Sequence, residues 1–110
     1  MTDLRIGVLG FGLRGSIART AHRPGRGSAV TAVADPDPRA RADAAAAFPG
    51  AYVTAGHRAV IDDPEVDAVL VLTPDHTHAD LARQALVARK PVFVEKPLDI
   101  SVDRCDEILR

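Results

Sequence analysis

Cysteine is nearly absent from these 110 residues. The single one, Cys105, excludes an internal disulfide framework and any cluster of cysteines around a metal. Tryptophan is missing, aromatics make up 4%, and lysine occurs only at Lys90 and Lys96 against twelve arginines. Charge of one sign is lacking too: a net charge of −1 gives no field for polyanions, which argues against nucleic acid or a membrane surface as partner. No apolar run approaches the roughly 18 residues that a bilayer-spanning helix needs, and Met1-Thr2-Asp3-Leu4-Arg5 lacks the pattern of a secretory leader. A reducing cytoplasm is the expected location. What is present, 46% apolar and 26% charged residues, is the composition of an ordinary folded domain of one core.

Short apolar runs alternate with stretches of helical spacing. Ile6 to Leu9, Val30 to Ala34, Ala68 to Leu72 and Val92 to Val94 are near-continuous, as expected of strands covered on both faces of a parallel sheet. A weaker strand is expected at Tyr52-Val53, after the stop Phe48-Pro49-Gly50. Between the strands, Leu13, Ile17, Ala18 and Ala21 share one helical face, as do Ala40, Ala44, Ala47 and Phe48, and Leu81, Ala82, Ala85 and Leu86. Val102, Cys105, Ile108 and Leu109 start one more helix, with Ser101 as its N-cap. This succession predicts a doubly wound α/β fold with a parallel sheet. Pro24-Gly25-Arg26-Gly27 and Asp35-Pro36-Asp37-Pro38 read as turns, too short to divide domains. Arg110 falls inside a helical pattern, so the chain is expected to be one piece of a longer protein.

Gly10-Phe11-Gly12-Leu13-Arg14-Gly15 matches GxGxxG between a strand and a helix. In that context Gly10 permits the tight turn, Gly12 lets a pyrophosphate approach the backbone, and Gly15 lets helix pack on strand. Amides near Leu13 and Arg14 would face the phosphates. The plain alternative is a glycine turn with no ligand. Asp35 lies about 20 residues after Gly15 and ends the second strand, where its carboxylate can accept hydrogen bonds from the adenosine ribose and would repel a 2′-phosphate. NAD is therefore expected over NADP, although Arg39 and Arg41 lie near enough in sequence to meet a phosphate. Asp35 could equally serve only the turn before Pro36.

Two further polar clusters sit at strand ends. Thr73-Pro74-Asp75-His76-Thr77-His78 follows the fourth strand, with Asp75 placed either to cap the next helix or to touch a ligand. Two histidines with no third ligand do not define a metal site, and none is expected. Glu95-Lys96-Pro97 follows the last strand. In a chain that otherwise uses arginine, Lys96 departs from habit at an edge facing the crevice. Its ammonium suits a substrate hydroxyl that becomes alkoxide-like as hydride leaves, the alternative being a solvated Lys-Glu pair.

The glycine loop, Asp63-Pro64-Glu65-Val66-Asp67-Ala68-Val69, Thr73-Pro74-Asp75 with His78, and Pro91-Val92-Phe93-Val94-Glu95-Lys96-Pro97 together resemble the N-terminal half of the Gfo/Idh/MocA oxidoreductases. That is the family of glucose-fructose oxidoreductase and inositol dehydrogenase. The resemblance implies a Rossmann domain for NAD or NADP over residues 1–110. A second domain would carry most of the substrate site and a catalytic histidine in an Asp-x-x-x-His pattern. It makes Lys96 the substrate-facing lysine, puts Glu95 and Pro74 near the nicotinamide, and makes the Lys96-Pro97 peptide a candidate for the cis form. Asp75 stands where Asn is commoner, and Arg89 where a glycine usually ends the helix. His22 and His57 read as surface or capping residues, Arg19, Arg23 and Arg26 as partners of a helix C-terminus, and Cys105 as a buried inert thiol.

The expected function is hydride transfer between a nicotinamide cofactor and a sugar, polyol or related hydroxyl compound, by a longer enzyme of which this chain binds the cofactor. The chain alone should bind dinucleotide without turnover, and an uncovered face would favour a homo-oligomer. A non-catalytic dinucleotide sensor and an S-adenosylmethionine-dependent methyltransferase are the alternatives.

Overall fold

A computed structural model describes residues 3–12, 15–73 and 78–94. The elements are β1 (Leu4–Leu9), α1 (Gly15–Ala21), β2 (Ser28–Ala34), α2 (Pro38–Ala47), β3 (Tyr52–Thr54), α3 (His57–Ile61), β4 (Ala68–Val71), α4 (His78–Val87) and β5 (Val92–Val94). All five strands run parallel in one sheet of order β3-β2-β1-β4-β5. The order reverses between β1 and β4, which is the topological switch point where open α/β sheets bind ligands.

Alternation along the strands sorts side chains into two cores. Ile6, Val8, Val30, Val33 and Leu70 meet Ala18 of α1, Ala44 of α2 and Phe48 on one face. Leu9, Ala32, Ala34, Val69 and Val71 meet Val60 and Ile61 of α3 and Leu81 and Ala85 of α4 on the other. Val30 and Val33 share a face although they are an odd number of residues apart. The cause is a bulge: Ile6 pairs with Val30 but Gly7 pairs with Ala32, leaving Thr31 out of register and flipping the parity of β2. Asp37 caps α2 by accepting from the Arg39 amide, and Pro38 opens the helix where its missing N–H costs nothing.

The strand starts are tied by polar contacts. The Arg5 amide and Nε both donate to Asp67 Oδ2, at 2.8 and 3.0 Å, and Nη2 donates to Oδ1 at 3.1 Å, which joins β1 to the segment entering β4. Tyr52, an exposed residue, donates its hydroxyl to Asp63 at 2.8 Å, and partial desolvation of that hydroxyl together with the carboxylate pushes the phenol up to about 12.

Two findings depart from the sequence reading. The stretch after the weak third strand holds a helix, α3, whose capping position is Gly56 with no side-chain bond, so no local signal announces it. It forms because Val60 and Ile61 are fully buried against the sheet. The same packing explains Gly7: a Cβ there would lie 2.4 Å from Val60 Cγ1 and 3.0 Å from Val66 Cγ1. Strands β1 and β2 also begin two residues earlier than their apolar runs, because Leu4 and Ser28 still pair. The expected last helix, with Cys105, lies outside the described residues.

At the end of α4, Arg89 takes the left-handed conformation with φ 64°, and the Lys90 and Arg89 amides bond back to Ala85 and Leu86. This is a Schellman closure built on a residue other than glycine. Arg89→Gly is therefore expected to raise stability by up to about 1 kcal/mol, as read from denaturant midpoints. Gly7→Ala should cost about 1–3 kcal/mol, and in a cycle with Val60→Ala the double variant should be more stable than the sum of the two single losses.

Candidate functional site: a cleft at the switch point

The carboxyl ends of β1, β2 and β4 converge. Gly10 leaves β1 with φ +92°, its amide donating to Ala34 O at 2.8 Å. A Cβ there would stand 3.0 Å from both the methyl and the amide nitrogen of Thr73, itself buried at the end of β4. Sterics and backbone sign thus both require glycine at this position. Gly12 differs, being exposed, with no heavy atom of the described residues beyond its chain neighbours within 4 Å of where a Cβ would lie.

Asp35 is 9% exposed and held at every polar atom. Its amide donates to Thr54 O at 3.0 Å, Oδ2 accepts from the Phe11 amide at 2.8 Å, and Oδ1 accepts from the Asp37 amide at 2.9 Å. Its carbonyl accepts from Arg41 Nη1 at 3.0 Å, and the same nitrogen reaches Pro36 O at 2.9 Å. The turn role of Asp35 is therefore real, and it coexists with acceptor capacity: each carboxylate oxygen has two lone pairs, of which the described residues engage one.

Gly10, Phe11, Gly12, Asp35 and Thr73 are brought together. Phe11 faces away from the cleft: its ring is 3% exposed, meets Phe48 edge-on at 5.5 Å between centroids and lies under the Arg19 guanidinium at 5.2 Å. With its amide engaged by Asp35, Phe11 shapes the turn from below. Arg39 is exposed at the start of α2. Gly15 opens α1 and His78 opens α4. Leu13, Arg14, Pro74, Asp75, Glu95, Lys96 and Pro97 lie outside the described residues.

His22 and His57, read as surface or capping residues, are both half-buried. His22 is half-buried, accepts the Val30 amide on Nδ1 at 3.0 Å and meets Phe48 edge-on at 4.9 Å. His57, at the start of α3, is half-buried, and its buried Nε2 has no hydrogen-bond partner among the described residues. Burial lowers its pKa, against the opposing pull of the nearby Asp35 carboxylate. The only sequence route to that proximity is topological: β3 pairs beside β2, so the residues after β3 reach the end of β2. Arg23 does serve a helix end, its Nε donating to Thr20 O at 3.4 Å. Among the described residues, no helix is long and apolar enough to cross a membrane.

The residues present fit a dinucleotide. Gly12 leaves main chain open to a diphosphate, and Asp35 offers spare acceptors to a ribose diol at the neighbouring strand end. The comparisons agree with that fit. Residues 4–110 match the model of an oxidoreductase family with an NAD-binding Rossmann fold, so the chain belongs to the Gfo/Idh/MocA family. It is 43% identical over 103 residues to inositol 2-dehydrogenase 2 of Saccharopolyspora erythraea, a match covering 93% of this chain and 30% of that protein. Among solved structures it superposes on a 3-ketoreductase variant from Actinomadura kijaniata in complex with NADP, with TM-score 0.87 and 28% identity. That match covers 98% of this chain and 34% of the other. It shares its fold with scyllo-inositol dehydrogenase from Lactobacillus casei bound to NAD(H) and scyllo-inositol, with TM-score 0.86, 23% identity and coverage of 97% and 32%. The chain thus spans about a third of the length of these relatives.

His57 gives this site a pH signature. Because its folded pKa is lowered, the unfolded chain binds the proton first as pH falls below about 6.5, so stability declines from there until the folded form also protonates. His57→Leu is expected to flatten that part of the curve while leaving stability at pH 7.5 within about 1 kcal/mol of the parent, as measured by urea unfolding across pH. An unchanged slope between pH 6.5 and 5 would contradict the assignment.

Proposed function

We propose that this chain is the cofactor-binding part of a longer cytoplasmic dehydrogenase that moves hydride between a nicotinamide dinucleotide and a sugar, polyol or related hydroxyl compound. The observation that carries the reading is the glycine turn held on the Asp35 carboxylate at the switch point of the sheet, where no described residue crowds Gly12 or takes the remaining lone pairs of Asp35. The inositol dehydrogenases among its relatives support a polyol as substrate. In this reading residues 1–110 form one domain, and Lys96 faces the substrate hydroxyl and supports the developing oxyanion. Glu95, Pro97, Thr73, Pro74, Asp75 and His78 lie around the nicotinamide half, while Leu13 and Arg14 complete the diphosphate cradle. NAD is preferred to NADP, because Asp35 places negative charge beside the ribose and Arg41 is engaged with carbonyls, leaving Arg39 as the nearer cation for a 2′-phosphate. The protein works as a homo-oligomer of two-domain subunits.

Gly12→Val tests the reading with little risk to the described fold, because the new side chain meets no atom of the described residues beyond its chain neighbours as it leaves the backbone. Wild-type chain should bind NADH in calorimetry, with amide shifts at Gly10 and Gly12 and with NADPH at least about tenfold weaker. Gly12→Val should melt normally and lose about tenfold or more in NADH affinity. Binding of S-adenosylmethionine in place of NADH, or full NADH affinity in the variant, would overturn it. In the whole enzyme, Lys96→Ala should keep NADH binding and abolish polyol oxidation; a whole enzyme that binds NADH but oxidises no polyol would favour the sensor.

A further inference from the structure

Arg41 is one turn into α2, where a cation faces the positive end of the helix dipole. That placement is unfavourable unless something compensates it, and two carbonyls do. Nη1 bonds Asp35 O and Pro36 O, the two residues that carry the chain from β2 into the cap of α2. The consequence runs further than the turn. With the carbonyl fixed by Arg41 and the amide fixed by Thr54 O, the main chain of Asp35 has its orientation set on both sides. The carboxylate can then reach the Phe11 amide in one direction and the Asp37 amide in the other. Phe11 lies between the two glycines of the turn, so the shape of that turn depends on a guanidinium six residues beyond Asp35.

We infer that Arg41 is a positioning residue: by holding the Asp35 and Pro36 carbonyls it sets the Asp35 carboxylate, and through that carboxylate the glycine turn, instead of acting as the receptor of a 2′-phosphate. The inference rests on the dinucleotide reading for its consequence in binding, and on the hydrogen-bond chain alone for its consequence in the free protein. Removing the guanidinium frees two carbonyls and lets the main chain at residues 35 and 36 swing. Part of the preorganisation that a bound dinucleotide would use is then lost. A phosphate receptor would behave differently, since its removal would weaken NADPH and leave NADH alone.

The test measures Arg41→Ala and Arg41→Lys in two ways. Without nucleotide, amide hydrogen exchange at Phe11 and Asp37 should accelerate about 3–10-fold in Arg41→Ala, with smaller change in Arg41→Lys, which keeps one donor. In calorimetry, the NADH dissociation constant should rise about 3–10-fold in Arg41→Ala, with NADPH weakened no more than NADH. Unchanged exchange at Phe11, an NADH affinity within twofold of wild type, or a loss confined to NADPH would each overturn the inference. Should Arg41→Ala fail to fold, Arg41→Met, which keeps the aliphatic stem and removes the donors, carries both measurements by the same criteria. Failure of wild-type chain to bind either nucleotide would sink the dinucleotide reading, while the exchange comparison would still decide whether Arg41 acts through Asp35.

Discussion

A carboxylate taken out of water must be hydrogen-bonded on its oxygens or its burial opposes folding. Asp35 meets that requirement by drawing in the chain after β1 through Phe11 and the start of α2 through Asp37, while its own amide binds the end of β3. Three strand ends and a helix cap are thereby fixed relative to one carboxyl group. The glycine turn does not hold its shape by glycine alone. Gly10 makes the bend sterically allowed, and Asp35 selects it.

The opposite edge of the sheet is organised by other means and toward another end. Arg5 on Asp67 and Tyr52 on Asp63 join strand starts across the sheet, and the contacts from Arg5 hold the Asp67 carboxyl below its usual range. These groups are substantially exposed, so such pairs add little to stability and mainly specify register. Lys90, donating to Asp63 O from beyond α4, ties the entry to β5 into the same edge. With alignment settled at the starts of the strands, their carboxyl ends can carry turns chosen for a ligand. The motif running from Asp63 to Val69 thus serves the strand starts, at the end of the sheet away from the cleft.

What could be read in the sequence was whatever is local. Strands buried on both faces announce themselves as apolar runs, and α1, α2 and α4 carry helical spacing. Gly10, Gly12 and Asp35 have the spacing that the cleft needs, and the structure brings their positions together. The rest depends on partners remote in the chain. Helix α3 has five residues and no side-chain cap, and exists because Val60 finds the gap that Gly7 leaves. The bulge at Thr31 is invisible in a run of small and branched residues. His57 read as a surface or capping residue from its place just after the weak third strand, and only the pairing of β3 with β2 brings it near Asp35. Arg39 and Arg41 are alike in sequence and differ in the fold: one is exposed and the other is folded back on two carbonyls.

Engagement of the Phe11 amide also moves the place where an anion can sit. The first N–H of the turn is turned inward, so main chain available to the proposed diphosphate begins at Gly12, where no described residue crowds it. A diphosphate bound there would lie a residue farther along from the Asp35 charge, with peptide dipoles between the two. A phosphate on the ribose 2′ position would have no such separation. At about 5 Å from the carboxylate it would meet a repulsion of roughly 1–3 kcal/mol per unit charge for an effective dielectric between that of water and that of a protein surface. Each 1.4 kcal/mol is tenfold in affinity, so a single buried acid is enough to separate the two cofactors unless a cation intervenes. Arg41, facing the carbonyls, is poorly placed to do so. If the chain binds a dinucleotide as proposed, discrimination would follow from the same carboxylate that shapes the turn, and a substitution of Asp35 intended to admit a 2′-phosphate would also loosen the glycine turn that its side chain holds.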